Sequence, residues 1–258
     1  MAEIIALANQ KGGVGKTTTA VNLAASIAIA ERNVLLVDLD PQANATSALG
    51  VVHQHVEKSV YDALLEPAAT SDCIRKTGIQ WLDLLPSHMN LVGAQIELVG
   101  MMAREFRLQK ALEAVSDRYE YIFIDCPPSL GLLTLNGLSA ADSVLVPIQT
   151  EYFALEGLSQ LMNTVELVQQ NLNPRLKLRG ILLTMYDSRL NLNNSVRQEI
   201  ENYFGDRVYK TIIRRNVKLG EAPSHGKPIL LYDAGSAGSQ NYIALAEEFL
   251  NESQQAAR

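Results

Sequence analysis

The sequence is poor in the residues that build disulfide or metal frameworks: 258 residues include two cysteines and four histidines. Cys73 and Cys126 have no second Cys or His at metal-ligand spacing. That excludes a zinc site or a disulfide scaffold and leaves two buried, apolar-like thiols. His53, His55, His88 and His225 are scattered and read as surface or packing residues. No apolar run approaches the roughly 18 residues that cross a bilayer, and pieces such as Val34 to Val37 stop at carboxylates. The start lacks the basic segment, apolar stretch and cleavage site of a secretory signal, so a soluble cytoplasmic protein is expected. Repeats, low-complexity tracts and linkers are missing too, and one domain over 1–258 is expected. Aromatics are sparse at 6%; the single Trp81 and the Met101-Met102 pair read as core or interface positions.

What is present is an ordinary globular mixture, 47% hydrophobic and 19% charged. The net charge of −6 hides an asymmetry, because residues 175–227 hold 11 of the 22 Lys and Arg against five acids. That segment is +6 and the remainder −12. Short unbroken apolar runs alternate with helical patterns, as in parallel strands joined by crossover helices. Strands are expected at Ile4–Asn9, Val34–Asp38, Trp81–Leu85, Tyr121–Asp125, Val144–Ile148, Leu178–Thr184 and Val208–Ile213. Helices are expected at Thr17–Glu31, Met89–Leu98, Ala103–Val115, Glu156–Asn171, Asn194–Phe204 and Ser239–Asn251. The fold class is therefore α/β: a doubly wound, mostly parallel sheet with helices on both faces. Residues 50–80 are the least legible.

Three motifs carry chemistry. Between the first strand and helix stands Gly12-Gly13-Val14-Gly15-Lys16-Thr17-Thr18. Glycines let backbone N–H groups curl toward phosphate oxygens, and the helix N-terminus adds partial positive charge. Lys16 is expected to reach the β/γ-phosphates, Thr17 to bind Mg²⁺ and Thr18 to hold the α-phosphate of a nucleoside triphosphate. The second strand ends in Asp38-Leu39-Asp40-Pro41-Gln42, with both carboxylates on one side of the strand where α/β sheets bind ligands. Asp125 closes the apolar strand Tyr121–Asp125 and is expected beside the metal.

The phosphate loop departs from Gly-x-x-x-x-Gly-Lys-Thr, with Gln10 at the first glycine and a second lysine at Lys11. Lys-Gly-Gly-x-Gly-Lys-Thr-Thr resembles the deviant Walker A motif of the ParA/MinD superfamily of P-loop ATPases. The resemblance narrows to the chromosomal ParA/Soj type through Ala8 to Gly13, Asp38 to Thr46, Pro147 to Gly157 and Glu221 to Pro228. It implies that Lys11 reaches across a homodimer interface to the nucleotide of the other subunit. Asp40 would position the attacking water and Asp38 would lie near the metal. The adenine pocket would include Ile213-Arg214-Arg215-Asn216, with Arg214 where that family usually has Pro.

Further implied are ATP and Mg²⁺, an ATP sandwich dimer, nonspecific double-stranded DNA binding by that dimer, and hydrolysis stimulated by a ParB-type centromere-binding protein. Arg189 and Lys218 fall where Soj-type proteins place DNA-contacting residues, with Arg215 and Lys227 as further candidates in the basic segment. A MinD-like membrane positioner would need a basic, bulky amphipathic tail, which Ser253 to Arg258 does not supply. An iron-protein-like electron carrier would need paired cysteines. A ParA-like ATPase that positions protein cargo shares all these motifs. No helix-turn-helix extension is expected before the first strand.

Overall fold

The strands read as unbroken apolar runs because both faces of the sheet are covered. The computed structural model describes residues 2–52 and 55–256, with the backbone alone for residue 95 and residues 254–256. The reading of His53 lies outside the described residues. The strands are β1 (Glu3–Leu7), β2 (Val34–Asp38), β3 (Arg75–Lys76), β4 (Leu82–Leu85), β5 (Tyr121–Asp125), β6 (Ser143–Gln149) and β7 (Lys177–Thr184). Their order is β3-β4-β2-β5-β1-β6-β7, parallel except for β3 against β4.

The helices are α1 (Lys16–Ile29), α2 (Asn44–Ala48), α3 (Val60–Leu65), α4 (Thr70–Cys73), α5 (Leu91–Val99), α6 (Arg107–Glu113), α7 (Leu132–Ala140), α8 (Ala154–Asn171), α9 (Asn191–Phe204), α10 (Val217–Glu221), α11 (Ile229–Tyr232) and α12 (Ala237–Ala256). Alternation along each strand splits its side chains between two cores. Ile5, Leu7, Leu36, Phe123 and Leu145 pack under α1 and α12. Ala6, Val37, Ile122, Ile124 and Val146 pack under α3 and α5 through α9. Both cysteines are buried and free, as read from the sequence.

The predicted strand Val208–Ile213 is not a sheet strand. Tyr209 N donates to Ile181 O at 3.0 Å and Ile213 N to Leu183 O at 2.9 Å. A four-residue step from Tyr209 to Ile213 is thus set against a two-residue step along β7, and a parallel ladder needs equal steps. The Tyr209 ring also occupies the space over Gly180, where a Cβ would lie 2.6 Å from it. The seventh strand is instead the short antiparallel β3. Trp81 and Met102 are not core residues: Met102 is 94% exposed, and Trp81 is 42% exposed at a positive-φ turn into β4. Among the described residues no helix is long and apolar enough to cross a membrane.

Candidate functional site

β1, β2 and β5 are neighbours, so their carboxyl ends bring the three motifs to one edge. Leu7, the last residue of β1, is in register with Asp125, and Asp125 with Asp38. From β1 the chain turns through Gly13 and Gly15 at φ 75° and 88°, where an L side chain is strained, and enters α1 at Lys16. Gly15 offers no side-chain cap and the first turn of α1 has no acid. The leading N–H groups and the positive end of the helix dipole are therefore left for an anion.

Lys16 is 6% exposed and its Nζ donates to Lys11 O at 3.1 Å. Burial lowers its pKa, while Asp125 and Asp40 draw it back up. The loop is pinned twice from outside: Thr184 Oγ1 donates to Val14 O at 2.8 Å, and Asn9 Oδ1 accepts from Lys11 N at 3.0 Å. Asn9 Nδ2 in turn donates to Pro147 O at 2.7 Å, tying the loop to β6. The Lys11 side chain pairs with Glu151, just past β6, and stays 42% exposed.

The three carboxylates differ sharply. Asp38 is fully buried and already engaged: its Oδ2 accepts from Thr46 N at 2.8 Å and Thr46 Oγ1 at 2.7 Å, its Oδ1 from Asp40 N at 3.2 Å. Burial pushes its pKa up to about 6 against the pull of those hydrogen bonds. Asp40 is 8% exposed and accepts from Gln42 N at 2.9 Å. Asp125 is fully buried, and neither of its oxygens has a hydrogen-bond partner; the Thr17 hydroxyl approaches without closing one of normal geometry. Burial, then the Asp38 charge, raises its pKa well above the usual carboxylate range, with Thr17 and Lys16 opposing.

An orphaned, buried carboxylate beside a threonine hydroxyl is what a hard cation would satisfy, so these residues fit Mg²⁺. Among the described residues no three His, Cys, Asp or Glu side chains form a cage of their own.

Asp125→Asn tests this directly. Because the folded-state pKa lies above the unfolded one, the charge weighs against the fold more as pH rises through the carboxylate range. Asn removes it. The ligand-free variant should melt higher at pH 7.5, by on the order of 1 kcal/mol or about 2–4 °C, while Mg²⁺ no longer strengthens ATP binding. A lower melting temperature with unchanged Mg²⁺ dependence would remove Asp125 from the metal site.

Beside Gly15 and Thr18 opens a cavity of about 490 Å³, lined by Met185, Ile213, Arg214, Asn216 and Tyr242 among others. Its size suits a nucleoside. Asn216 caps α10 by accepting from Lys218 N at 2.8 Å, which fixes the amide in the wall. Arg214 is at the rim and exposed.

The basic candidates do not gather equally. Arg189 and Arg215 both flank Asp187, which Arg189 grips at 2.9 and 2.6 Å, holding that carboxyl down to about 2. Lys218 is paired with Glu221 at 2.8 Å across one turn of α10. Lys227 lines a cavity of about 300 Å³ with Thr17, Thr18 and Asn44. The residues that sequence reasoning gave no role are Asn9, Thr46, Glu151 and Thr184. All but Thr184 lie inside the stretches that carry the family resemblance, which offered no reason to single them out.

Residues 2–178 match the AAA domain family. Over 248 residues the chain is 58% identical to the sporulation initiation inhibitor protein Soj of Bacillus subtilis, spanning 96% of this chain and 98% of that one. This chain belongs to the Soj/ParA family of P-loop ATPases. Within that family it is 55% identical over 247 residues to the chromosome partitioning protein ParA of Myxococcus xanthus, covering 96% and 87% of the two chains. Among solved structures it resembles cobyrinic acid a,c-diamide synthase from Mycobacterium smegmatis with bound ADP and magnesium. That match has 37% identity and a TM-score of 0.87, over 100% of this chain and 97% of that one. Family membership makes the chain an ATPase whose phosphate loop carries two lysines.

Proposed function

We propose that this chain is a DNA-partitioning ATPase that works as an ATP-closed homodimer, with residues 1–258 serving as one ATPase domain. The observation that carries the reading is the division of labour between the two loop lysines. Lys16 is buried over the phosphate loop, whereas the Lys11 side chain is paired with Glu151 and remains exposed enough to serve a second subunit.

The N–H groups of Gly12 to Thr18 would hold the phosphates of ATP, with Lys16 for the β/γ oxygens, and the wall that includes Arg214 and Asn216 would take its base. Thr17, with Asp125 and Asp38 behind it, would hold Mg²⁺, which would supply charge neutralisation for the triphosphate. Asp40 orients water toward the γ-phosphate, and Lys11 of each subunit supplies charge to the other's site.

The dimer presents two copies of the basic segment, doubling the phosphate contacts. Arg189, Arg215 and Lys218 form the core of this DNA face, and Lys227 is peripheral to it. The working location is the cytoplasm at the nucleoid, and the stimulating partner is a ParB-type centromere-binding protein. Support comes from the relatives that carry partitioning names and from the charge asymmetry of the chain.

Arg189→Glu is the test. Double-stranded DNA retention in a gel shift should fall at least about 10-fold at 150 mM salt and the salt slope should flatten, while ATP-driven dimerisation persists. Unchanged retention would move the DNA face elsewhere.

A further inference from the structure

Asp40 sits in a tight turn between β2 and α2, where its N–H donates to Asp38 Oδ1 at 3.2 Å and its carboxylate accepts from Gln42 N at 2.9 Å. Ala43 N closes the turn on Asp40 O at 2.9 Å, and Ala43 itself is at φ 53°, a conformation L side chains rarely adopt. Such a turn persists only where its surroundings hold it. On one side stands Asp38, at the end of β2. On the other stands Thr46, in α2. The two meet: Thr46 N and Oγ1 both donate to Asp38 Oδ2, at 2.8 and 2.7 Å. Thr46 Oγ1 also accepts from Ser87 N at 2.9 Å, bolting α2 to the loop that follows β4. Thr46, Asp38 and Ser87 are all fully buried, so water does not replace a lost bond.

We infer that Thr46 is a positioning residue for hydrolysis: its hydroxyl doubles the bond that its backbone N–H makes to Asp38, ties the ring to Ser87, and so fixes where Asp40 stands relative to the phosphate loop. This rests on the role proposed for Asp40. Thr46 touches neither the loop nor the base cavity, so its loss acts on turnover rather than on ATP binding. A methyl in place of the hydroxyl fills the same volume but can neither donate to Asp38 nor accept from Ser87, whereas serine keeps both bonds.

The experiment compares Thr46→Val and Thr46→Ser with the parent chain, with Lys16→Ala and Asp40→Ala run alongside. ATP affinity is read by calorimetry and phosphate release by single-turnover kinetics with Mg²⁺. Thr46→Val should release phosphate about 10–100-fold more slowly, the usual range for outer-shell support, with ATP affinity within about threefold of the parent. Thr46→Ser should restore the rate to within about threefold. Parental turnover in Thr46→Val overturns the inference. So does an equal loss in the Ser variant, or a loss of ATP affinity matching the loss of rate, since either marks a merely structural role. If Asp40→Ala turns over normally, the underlying reading of Asp40 has failed, and this inference with it. If Asp40→Ala is slow while Thr46→Val is fast, only the inference about Thr46 has failed.

Discussion

Lys16→Ala should abolish measurable ATP binding, with calorimetry giving an affinity at least about 100-fold weaker than the parent chain. The size follows from where the ammonium sits. It is buried, and burial lowers its pKa, so its charge is poorly solvated and waits for a partner stronger than the carbonyl of Lys11. Each charge-assisted hydrogen bond it makes to phosphate is worth about 1.5–3 kcal/mol, or roughly 10- to 100-fold in affinity. Alanine removes all of them. The fold should survive, because α1 is anchored by Ala20, Leu23, Ala24 and Ile27 in the core under β1 and β5 and not by Lys16. A circular dichroism spectrum matching the parent checks that. Tight ATP binding by the variant would move the nucleotide away from this loop.

The parts of the fold that the sequence exposed were those with one dominant physical signal. β1, β2, β5 and β6 are apolar runs buried on both faces, and each ends at or beside a residue of the site. α8 and α9 separate an apolar stripe from a polar face, which gives the 3.6-residue period. α7 gave no such period: Leu133, Leu138, Asn136 and Ser139 are all buried, so the helix has no polar face to mark it. Its Asn136 is instead paid for by backbone, donating to Arg104 O and Leu132 O and accepting from Leu108 N. The helices in residues 50–80 are four to six residues long, too short for a period to show. Val208–Ile213 misled in the other direction, because its β-rich composition is spent on two hydrogen bonds and a ring packed over Gly180.

Within the site, residues fixed by local chain geometry were legible: the loop glycines, Lys16, and carboxylates at strand ends. What stayed hidden were contacts between segments far apart in sequence. Thr184 reaching Val14, Glu151 holding Lys11 and Thr46 holding Ser87 are made by tertiary packing, and no spacing rule predicts them. The net charge of the basic segment was legible as well, but not that Asp187 holds Arg189 and Glu221 holds Lys218.

Asp40→Ala should leave ATP binding within about threefold of the parent chain while phosphate release falls about 100-fold or more, the scale on which a positioned base or water-orienting group acts. The separation arises because the hydrogen bonds described for Asp40 go to its own turn and not to the phosphate loop: its carboxylate accepts from Gln42 N, and the turn is closed by a backbone bond from Ala43 N that alanine keeps. Removing its charge also takes one negative neighbour from Asp125, whose pKa Asp40 helps to raise. Metal-dependent binding should therefore not suffer. With binding intact and the chemical step slowed, the ATP-closed state accumulates. Light scattering after size exclusion with Mg²⁺ and ATP should show a dimer that persists over hours, whereas the parent returns to monomer as ATP is consumed. Unaltered turnover would take Asp40 out of the reaction. A variant that stays monomeric with ATP bound would instead break the proposed link between nucleotide and subunit closure, and with it the switch proposed for DNA release.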